Sequence, residues 1–480
     1  MLSSWFRRRA HSESVQARLR KYPWPYRAAI AFSNDCDFLS VDAAFALQRL
    51  FNSDQSEGGL ALEFADSFFF YENGKDFHTY SYFEGRTKKH SLAAPMIRNL
   101  LASGHIDTTH AIGDFEKGGF NRKLVEAAVL ELDRCHLRIP VFTNHGGHAN
   151  VQNIGRVECL YTEAGDDLNS PFYILDLLDD VGIRYYWTNT SKTKWLSINP
   201  TGDLVTEHQR RAPRSGEQNS YRVVPLPYTP AWNYNQRSVF EAIRNRSNAI
   251  LQGFVRYDGF LPDGDSGVPI ADLLTQLGVR AGPNIGRVAI SLSHDKLDRL
   301  VESEGCCFLY QHFSTLAHRP ARVHISNALE FHPANLQALK GLKKHESAGR
   351  IWVAAQAILL DYLYMLNTTV VSIVEVGDGG QVRAHVRPRE GYADRGYAGL
   401  TFEVPPHSNS ATISTDSGAL VEAAVFGPDG EGLWWASIRP KRLPKLDWRH
   451  LADECGIKAP VDISVKFLDG EKPVSLWYPD

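Results

Sequence analysis

Two hydrophobic patterns divide the chain near residue 368. From residue 27 to about residue 366, short apolar runs alternate with longer amphipathic stretches, which is typical of βα units around a parallel sheet or barrel. Beyond that point the helical period disappears, and short alternating strands are separated by glycine-rich turn clusters. Turn signals at this regular spacing predict an antiparallel sandwich. The pattern therefore predicts a solvated N-terminal arm, an α/β unit and a β-rich domain: residues 1–26, 27–367 and 368–480.

The apolar runs and the helical periodicity also predict individual elements. Strands of the α/β unit are expected at residues 28–32, 61–62 with their neighbours, 141–143, 184–187, 288–291 and 307–310. Its helices are expected at residues 93–103, 122–135, 171–180, 238–245, 295–304, 333–343 and 352–364. In the β-rich domain the strands are expected at residues 370–376, 382–386, 400–404, 411–414, 420–426 and 433–438, with a final helix at 446–455 that packs on the sandwich.

Composition narrows the class of protein. A net charge of -3 over 480 residues implies no basic face for nucleic acid. No run reaches the roughly 18 apolar residues that span a bilayer, and none follows the basic start as a secretory signal requires. The six cysteines form no C-x-x-C pair, which favours a reducing compartment. We expect a cytoplasmic protein without an integral membrane segment; nothing indicates an oligomeric state.

The first candidate site follows the predicted strand 28–32. Asp35 and Asp37 come directly after it, with Asn34 before them, and carboxyl ends of barrel strands carry the catalytic groups in such folds. Two carboxylates at a strand exit can supply a metal ligand and a general base. An N-cap for the helix that follows would explain one aspartate and leave the second unexplained.

The second candidate is a polar stretch at residues 104–115. It holds His105, Asp107, His110 and Asp114, which is more imidazole and carboxylate than a solvated loop, the alternative interpretation, needs. On a turn of helix, His110 and Asp114 would share a face and reach one ion. The stretch therefore predicts metal ligands.

Two further histidines follow predicted strands. His145 comes after Asn144 in a glycine-rich loop behind residues 141–143, and the glycines allow close approach to a ligand; a packing or solvated histidine is the alternative there. His312 ends the apolar run that contains Phe308. Because a histidine titrates near neutral pH, His312 can protonate a leaving group.

Taken in order, these motifs resemble those of the NodB-type polysaccharide deacetylases, carbohydrate esterase family four. The resemblance covers residues 27 to about 366 and is closest to a divergent cytoplasmic branch with Asn-Asp-x-Asp, Gly-His-x-Asp-Thr-x-His and Asn-His-Gly motifs. It implies three metal ligands: Asp35, His110 and Asp114. The implied catalytic groups are Asp37, Asp35, His312 and His145. We expect four residues to contact the sugar: Asn34, His105, Asn144 and Trp187. The Trp187 ring would suit stacking on a sugar, and core packing is the alternative.

The resemblance also implies a fold and a reaction. The fold is a distorted (β/α)7 barrel of the NodB type, followed here by the β-rich domain. Asp114 stands where the family has a second metal histidine, and Asn144 with His145 replaces the family's Arg-Pro pair. Zinc is the metal expected first, although a carboxylate-rich set also suits Mn, Mg or Fe. The ion would polarise an acyl oxygen and activate water, an aspartate would take the water's proton, and His312 would protonate the departing amine.

Three functions stay open at this point. The first is a metal-dependent N-deacetylase of an acetylated amino sugar, in a polysaccharide or its precursor. The second is a hydrolase of another amide or a glycosidic bond on the same barrel, and the third is a non-catalytic carbohydrate-binding or assembly protein. Metal content separates the two enzymes from the third function, and detection of free amine on a sugar panel separates the two enzymes from each other.

Overall fold

The computed structural model describes a mixed α/β protein over most of the chain. The residues described are 15–34, 36, 39–72, 80–115, 118–145, 150–153, 165, 170–190, 196–198, 204–206, 223–225, 251–257, 292–302, 304–311, 313, 329–331, 333–377, 379–389, 394, 396–457 and 465–467. The helices described are α1 (Val41–Asn52), α2 (Ala94–Ser103), α3 (Arg122–Arg134), α4 (Leu175–Asp180), α5 (His294–Glu302), α6 (Pro333–Ser347), α7 (Gln356–Thr368) and α8 (Trp448–Cys455).

The strands fall into several sheets. Those before residue 360 are β1 (Val15–Gln16), β2 (Ala28–Asn34), β3 (Asp66–Tyr71), β4 (Ser81–Phe83), β5 (Ile106–His110), β6 (Val141–Thr143), β7 (Tyr185–Thr190), β8 (Leu196–Ile198), β9 (Leu204–Thr206), β10 (Val223–Pro225), β11 (Leu251–Tyr257), β12 (Cys306–Gln311), β13 (Leu329–Phe331) and β14 (Ile351–Val353). Those after it are β15 (Thr369–Val376), β16 (Gln381–Pro388), β17 (Thr401–Val404), β18 (Ser410–Thr415), β19 (Leu420–Phe426), β20 (Trp434–Ser437) and β21 (Val465–Phe467).

Parallel strands dominate the first part of the chain. Strands β4, β3, β5, β6 and β7 run parallel in one seven-stranded sheet, which β11 and β10 extend by antiparallel pairing. Strands β12, β2 and β14 form a second, fully parallel sheet. The α/β class predicted from the alternating pattern is therefore confirmed. The predicted elements at residues 238–245 and 288–291 lie outside the described residues.

The second seven-stranded sheet follows residue 368, in the order β1-β15-β16-β18-β19-β20-β17. Its pairings are antiparallel except between β16 and β18, which run parallel, so the expectation of purely antiparallel strands is wrong at this pair. Residues 15–20 belong to this sheet. Val15 pairs with Ile373 in β15, while Leu19 bridges to Phe402 in β17 at the other end of the strand order. This part of the expected arm thus connects both edges of the sheet, which removes edges that would otherwise attract further strands.

Residues 61–62 were expected in a strand and instead lie in irregular backbone after α1, where Ala61 has a φ of 51°. The amides of Leu60 and Leu62 donate to the carbonyl oxygens of Leu50 and Phe51 at the end of α1. The side chains still alternate between buried and partly exposed, which is why the sequence resembles a strand. Backbone groups at a helix end need partners, and this segment supplies them; the strand itself begins at Asp66.

The helix expected at residues 352–364 begins later than predicted. Residues 351–353 form the buried strand β14, and α7 begins at Gln356. The amide of Ala357, in the first turn of α7, donates to Asp107 Oδ2 at 2.7 Å. A carboxylate supplied from β5 therefore stabilises the start of this helix, as a capping side chain does.

The two parts of the chain share their cores. Side chains of α7, including Leu359 and Leu363, are buried in one cluster with β-sheet residues such as Val386. The final helix, α8, was expected on the sandwich, and this is wrong: Trp448 packs edge-to-face on Phe45 of α1, with ring centroids 6.0 Å apart. The switch in sequence pattern near residue 368 thus marks a change of secondary structure within a shared core.

Candidate functional site

Several predicted site residues lie outside the described part of the chain. Asp35, Asp37 and His312 are among them, and Trp187 is described only as backbone in β7. Their predicted roles stay predictions. Asp35 directly follows Asn34, the last residue of β2.

His110, Asp114 and His145 come together at the carboxyl ends of neighbouring parallel strands. His110 is the last residue of β5, and His145 lies two residues beyond β6. Their ring centroids are 4.8 Å apart, and His145 Nδ1 lies 3.9 Å from Asp114 Oδ1. We call these three residues the strand-edge cluster. The expectation that His110 and Asp114 share a turn of helix is wrong, because His110 ends a strand and Asp114 follows a bend.

That bend depends on Gly113, which has no side chain. Ala111 has a φ of 49° directly after His110, and Gly113 then approaches β3 closely. A Cβ added to Gly113 would lie 2.4 Å from the carbonyl oxygen of Tyr71. A larger residue at this position would push the backbone that carries Asp114 away from β3.

An aromatic side chain forms one wall of the strand-edge cluster. The ring of Phe69 lies 5.0 Å from that of His110 and 5.3 Å from that of His145, by centroid distance. Both histidines are buried, whereas the Asp114 side chain is 34% exposed. The cluster therefore combines an apolar, weakly screening side with a carboxylate that solvent reaches.

A chain of side-chain amides orients His145. Gln152 accepts from the amide of Ile112 at 2.9 Å and donates to Gly113 O at 2.7 Å, which fixes the direction of its own amide. It also donates to Asn150 Oδ1 at 3.2 Å, so Asn150 turns its NH2 group toward His145 Nδ1, 3.1 Å away.

These contacts favour one tautomer of the neutral His145 ring. A ring nitrogen that accepts from an amide carries no proton, so the neutral ring of His145 carries its proton on Nε2. In this form His145 can donate a hydrogen bond from Nε2, and its unprotonated nitrogen faces Asn150. The catalytic role expected for His145 stays a prediction.

The residues expected to contact the sugar lie in different settings. Asn34 is buried; its amide donates to Asp66 Oδ1 at 2.7 Å and accepts from the amide of Phe313 at 2.9 Å. Asn144 directly precedes His145 and is partly exposed. His105 is buried just before β5, roughly 16 Å along the strand from His110. Asn144 therefore lies at the same end of the sheet as the strand-edge cluster, whereas His105 lies toward the opposite end of β5.

The amino end of β5 carries two buried titratable side chains. His105 contacts the Ser103 hydroxyl through Nδ1 at 2.9 Å, and burial lowers its pKa to about 4. Asp107 accepts from the Ala357 amide and from the Thr108 hydroxyl at 2.7 Å each. Burial nevertheless raises the pKa of Asp107 to about 6. Its carboxylate has a structural partner in α7.

A second histidine group was not predicted from the sequence. His294 and Asp298 on α5 and His345 on α6 place one possible ligand atom each within 4.8 Å of one another. Within the part of the chain that the structure describes, this is the group of three side chains that is spaced closely enough to bind one metal ion. The three residues of the strand-edge cluster are not spaced closely enough to do so by themselves. The spacing of four between His294 and Asp298 was the local signal available.

No helix among the described residues is long and apolar enough to cross a membrane. Comparisons of the chain with protein-family models, with curated proteins and with solved structures give no match.

Proposed function

We propose that the protein is a metal-dependent hydrolase that removes the acetyl group from an N-acetylated amino sugar. The reaction would take place at the carboxyl ends of β5 and β6, in a barrel of the NodB type. The observation that supports this most strongly is the convergence of His110, Asp114 and His145 at two neighbouring strand ends. The resemblance of the sequence motifs supplies the reaction class.

The donor set at this edge fits part of a metal site. His110 offers an imidazole and Asp114 a partly exposed carboxylate, and both are ligand types that zinc accepts. Because the described residues alone make no group of three here, the third ligand must come from elsewhere, and Asp35 is the residue that the motif implies. When bound, the ion would supply a Lewis acid that polarises the acyl oxygen and lowers the pKa of water.

The side chains would divide the proton transfers among them. Asp37 takes a proton from the attacking water, whose oxygen bonds to the acyl carbon. His312 gives a proton to the amine nitrogen as the C–N bond breaks, so the products are acetate and a free amino sugar. His145, with its proton on Nε2, donates a hydrogen bond to the oxygen on which negative charge develops.

The experiment measures acetate and free amine released by the full-length protein from a panel of N-acetylated amino sugars, with and without a chelator. Asp114→Asn should lower both metal content and acetate release. The matched control is Asp416→Asn, which removes a carboxylate paired with His385 at 2.8 Å in the C-terminal sheet, and it should change neither.

Each alternative gives a different result. Cleavage of a glycosidic bond without free amine would identify the reaction as glycoside hydrolysis. Sugar binding without turnover would identify a binding protein. Acetate release that survives both chelation and Asp114→Asn would reject the strand-edge cluster as the site.

A further inference from the structure

A cleft between α5 and α6 holds a group of metal-ligand side chains away from the strand-edge cluster. Its volume is about 520 Å³, and His294, His345 and Arg350 are among the residues that line it. Arg350 immediately precedes β14, and its carbonyl oxygen accepts from the amide of Ala28 at the start of β2. The cleft therefore lies toward the amino ends of this parallel sheet, whereas His145 follows the carboxyl end of β6.

His345 is buried and His294 is exposed, and each of these facts favours a bound cation. His345 is only 8% exposed, and its Nδ1 has no hydrogen-bond partner among the described residues. Buried polar atoms are almost always paired, so this nitrogen calls for a ligand. The His294 side chain is 79% exposed and can reorient without disturbing the core.

Arg350 organises the carboxylate of the group. Its guanidinium lies 2.7 Å from Asp298 Oδ1, while Asp298 Oδ2 faces His294 Nδ1 at 2.6 Å. Ligand atoms around a tetrahedral zinc ion lie roughly 3.3 Å apart, so a modest turn of the exposed His294 ring would make room for an ion. With one oxygen held by Arg350, Asp298 presents the other to the two imidazoles.

We propose that His294, Asp298 and His345 bind one divalent transition-metal ion in this cleft. Two nitrogen donors and one oxygen select zinc or a similar borderline ion over magnesium or calcium, which prefer all-oxygen shells. Three protein ligands leave a fourth coordination position, typical of sites where the ion binds a small molecule. Arg350 and Lys344, which also line the cleft, make an anion the ligand class expected at that position.

The test counts metal ions on the full-length chain. Protein stripped with a chelator is dialysed against Co²⁺, and bound cobalt per chain is measured together with its visible absorption. His294→Ala and His345→Ala should each bind about one ion fewer than the unmodified protein. The matched control is His450→Ala, which removes an exposed histidine with a carboxylate, Glu454, four residues on along α8, and it should bind the full number.

The design keeps the two proposed sites separable. His110→Ala removes a ligand of the strand-edge cluster only, so its loss of an ion should add to that of His294→Ala. Full cobalt binding by His294→Ala would overturn the cleft site even if His345→Ala fails to fold, because the His294 side chain is mostly solvent-exposed. Full binding by His110→Ala, with loss in His294→Ala, would reject the strand-edge site and leave the cleft site standing.

Discussion

The two ends of β5 carry the same residue types in opposite circumstances. At the amino end, His105 lies edge-to-face against Trp448 of α8, with ring centroids 5.6 Å apart, and Asp107 accepts two hydrogen bonds. At the carboxyl end, His110 faces another histidine, and Asp114 reaches solvent. Buried groups with complete local partners stabilise a fold, whereas groups that converge at a strand exit are available for chemistry. The position along the strand, and not the residue type, separates the two cases.

The largest expected effect tests this division through activity. His145→Ala should lower turnover on the acetylated sugar by roughly two to three orders of magnitude, the usual contribution of one hydrogen-bond donor to a developing oxyanion, with metal content unchanged. His105→Gln should keep turnover, because its side chain lies toward the other end of β5. Steady-state kinetics of both variants, with His385→Ala in the C-terminal sheet as the control, measure the difference. A comparable loss in His105→Gln, without loss of stability, would restore the sugar-contacting role that the motif suggested.

Much of the α/β frame was predictable because its signals are local. The strand at residues 141–143 has the predicted bounds, since its apolar run is buried and interrupted at both ends. The stretch before it was misinterpreted because β5 is polar. Asp107 and Thr108 are buried in this strand because α7, some 250 residues away in sequence, supplies hydrogen bonds from Ala357 and Gln356. No local pattern encodes partners at that distance.

The cleft group shows the same limit for a site. His294 and Asp298 carry a local signal in their spacing on α5, but a helix face with one histidine and one aspartate is usually a solvated ion pair. Only the packing of α6 against α5 brings His345 to them. In contrast, His145 follows the strand that the apolar run at residues 141–143 predicted, so the rule for barrel strand ends could locate it. His110 and Asp114 were found by the number of imidazoles and carboxylates in their polar stretch.

His105, at the amino end of β5, should make the free energy of unfolding depend on pH. Because burial lowers the pKa of His105 to about 4 from an ordinary value of 6.5, the unfolded chain takes up a proton at this residue before the folded chain does. Its contribution to stability is complete above pH 6.5 and is lost as pH falls toward 4, by at most about 3 kcal/mol. The free energy of unfolding of His105→Gln, measured in urea between pH 4 and 7, should lack this part of its slope against pH. An unchanged slope would show that His105 is not buried as a neutral ring.

Asp107 should change the free energy of unfolding in the opposite direction over nearly the same pH range. Its pKa is raised by burial to about 6 from 3.8, so the folded chain keeps a proton that the unfolded chain has released. The contribution is complete below pH 3.8 and is lost as pH rises through 6, again by at most about 3 kcal/mol. Asp107→Asn keeps a hydrogen-bond acceptor for Ala357 and removes the titration, so its unfolding free energy should lack this fall. If the fall persists in Asp107→Asn, another carboxyl group causes it.

The smallest expected effect concerns how the carboxyl-end cluster is held. Asn150→Ala removes the amide that faces His145 Nδ1 and frees the ring to carry its proton on either nitrogen. The loss of one neutral hydrogen bond is worth about 1 kcal/mol, so turnover should fall about fivefold, with metal content and KM unchanged. Asn150→Asp is the sharper variant. Its carboxylate can accept a hydrogen bond from Nδ1 and stabilises the doubly protonated ring, which still donates from Nε2, so Asn150→Asp should keep more turnover than Asn150→Ala. A merely structural Asn150 would lower stability in both variants and leave their turnover equal.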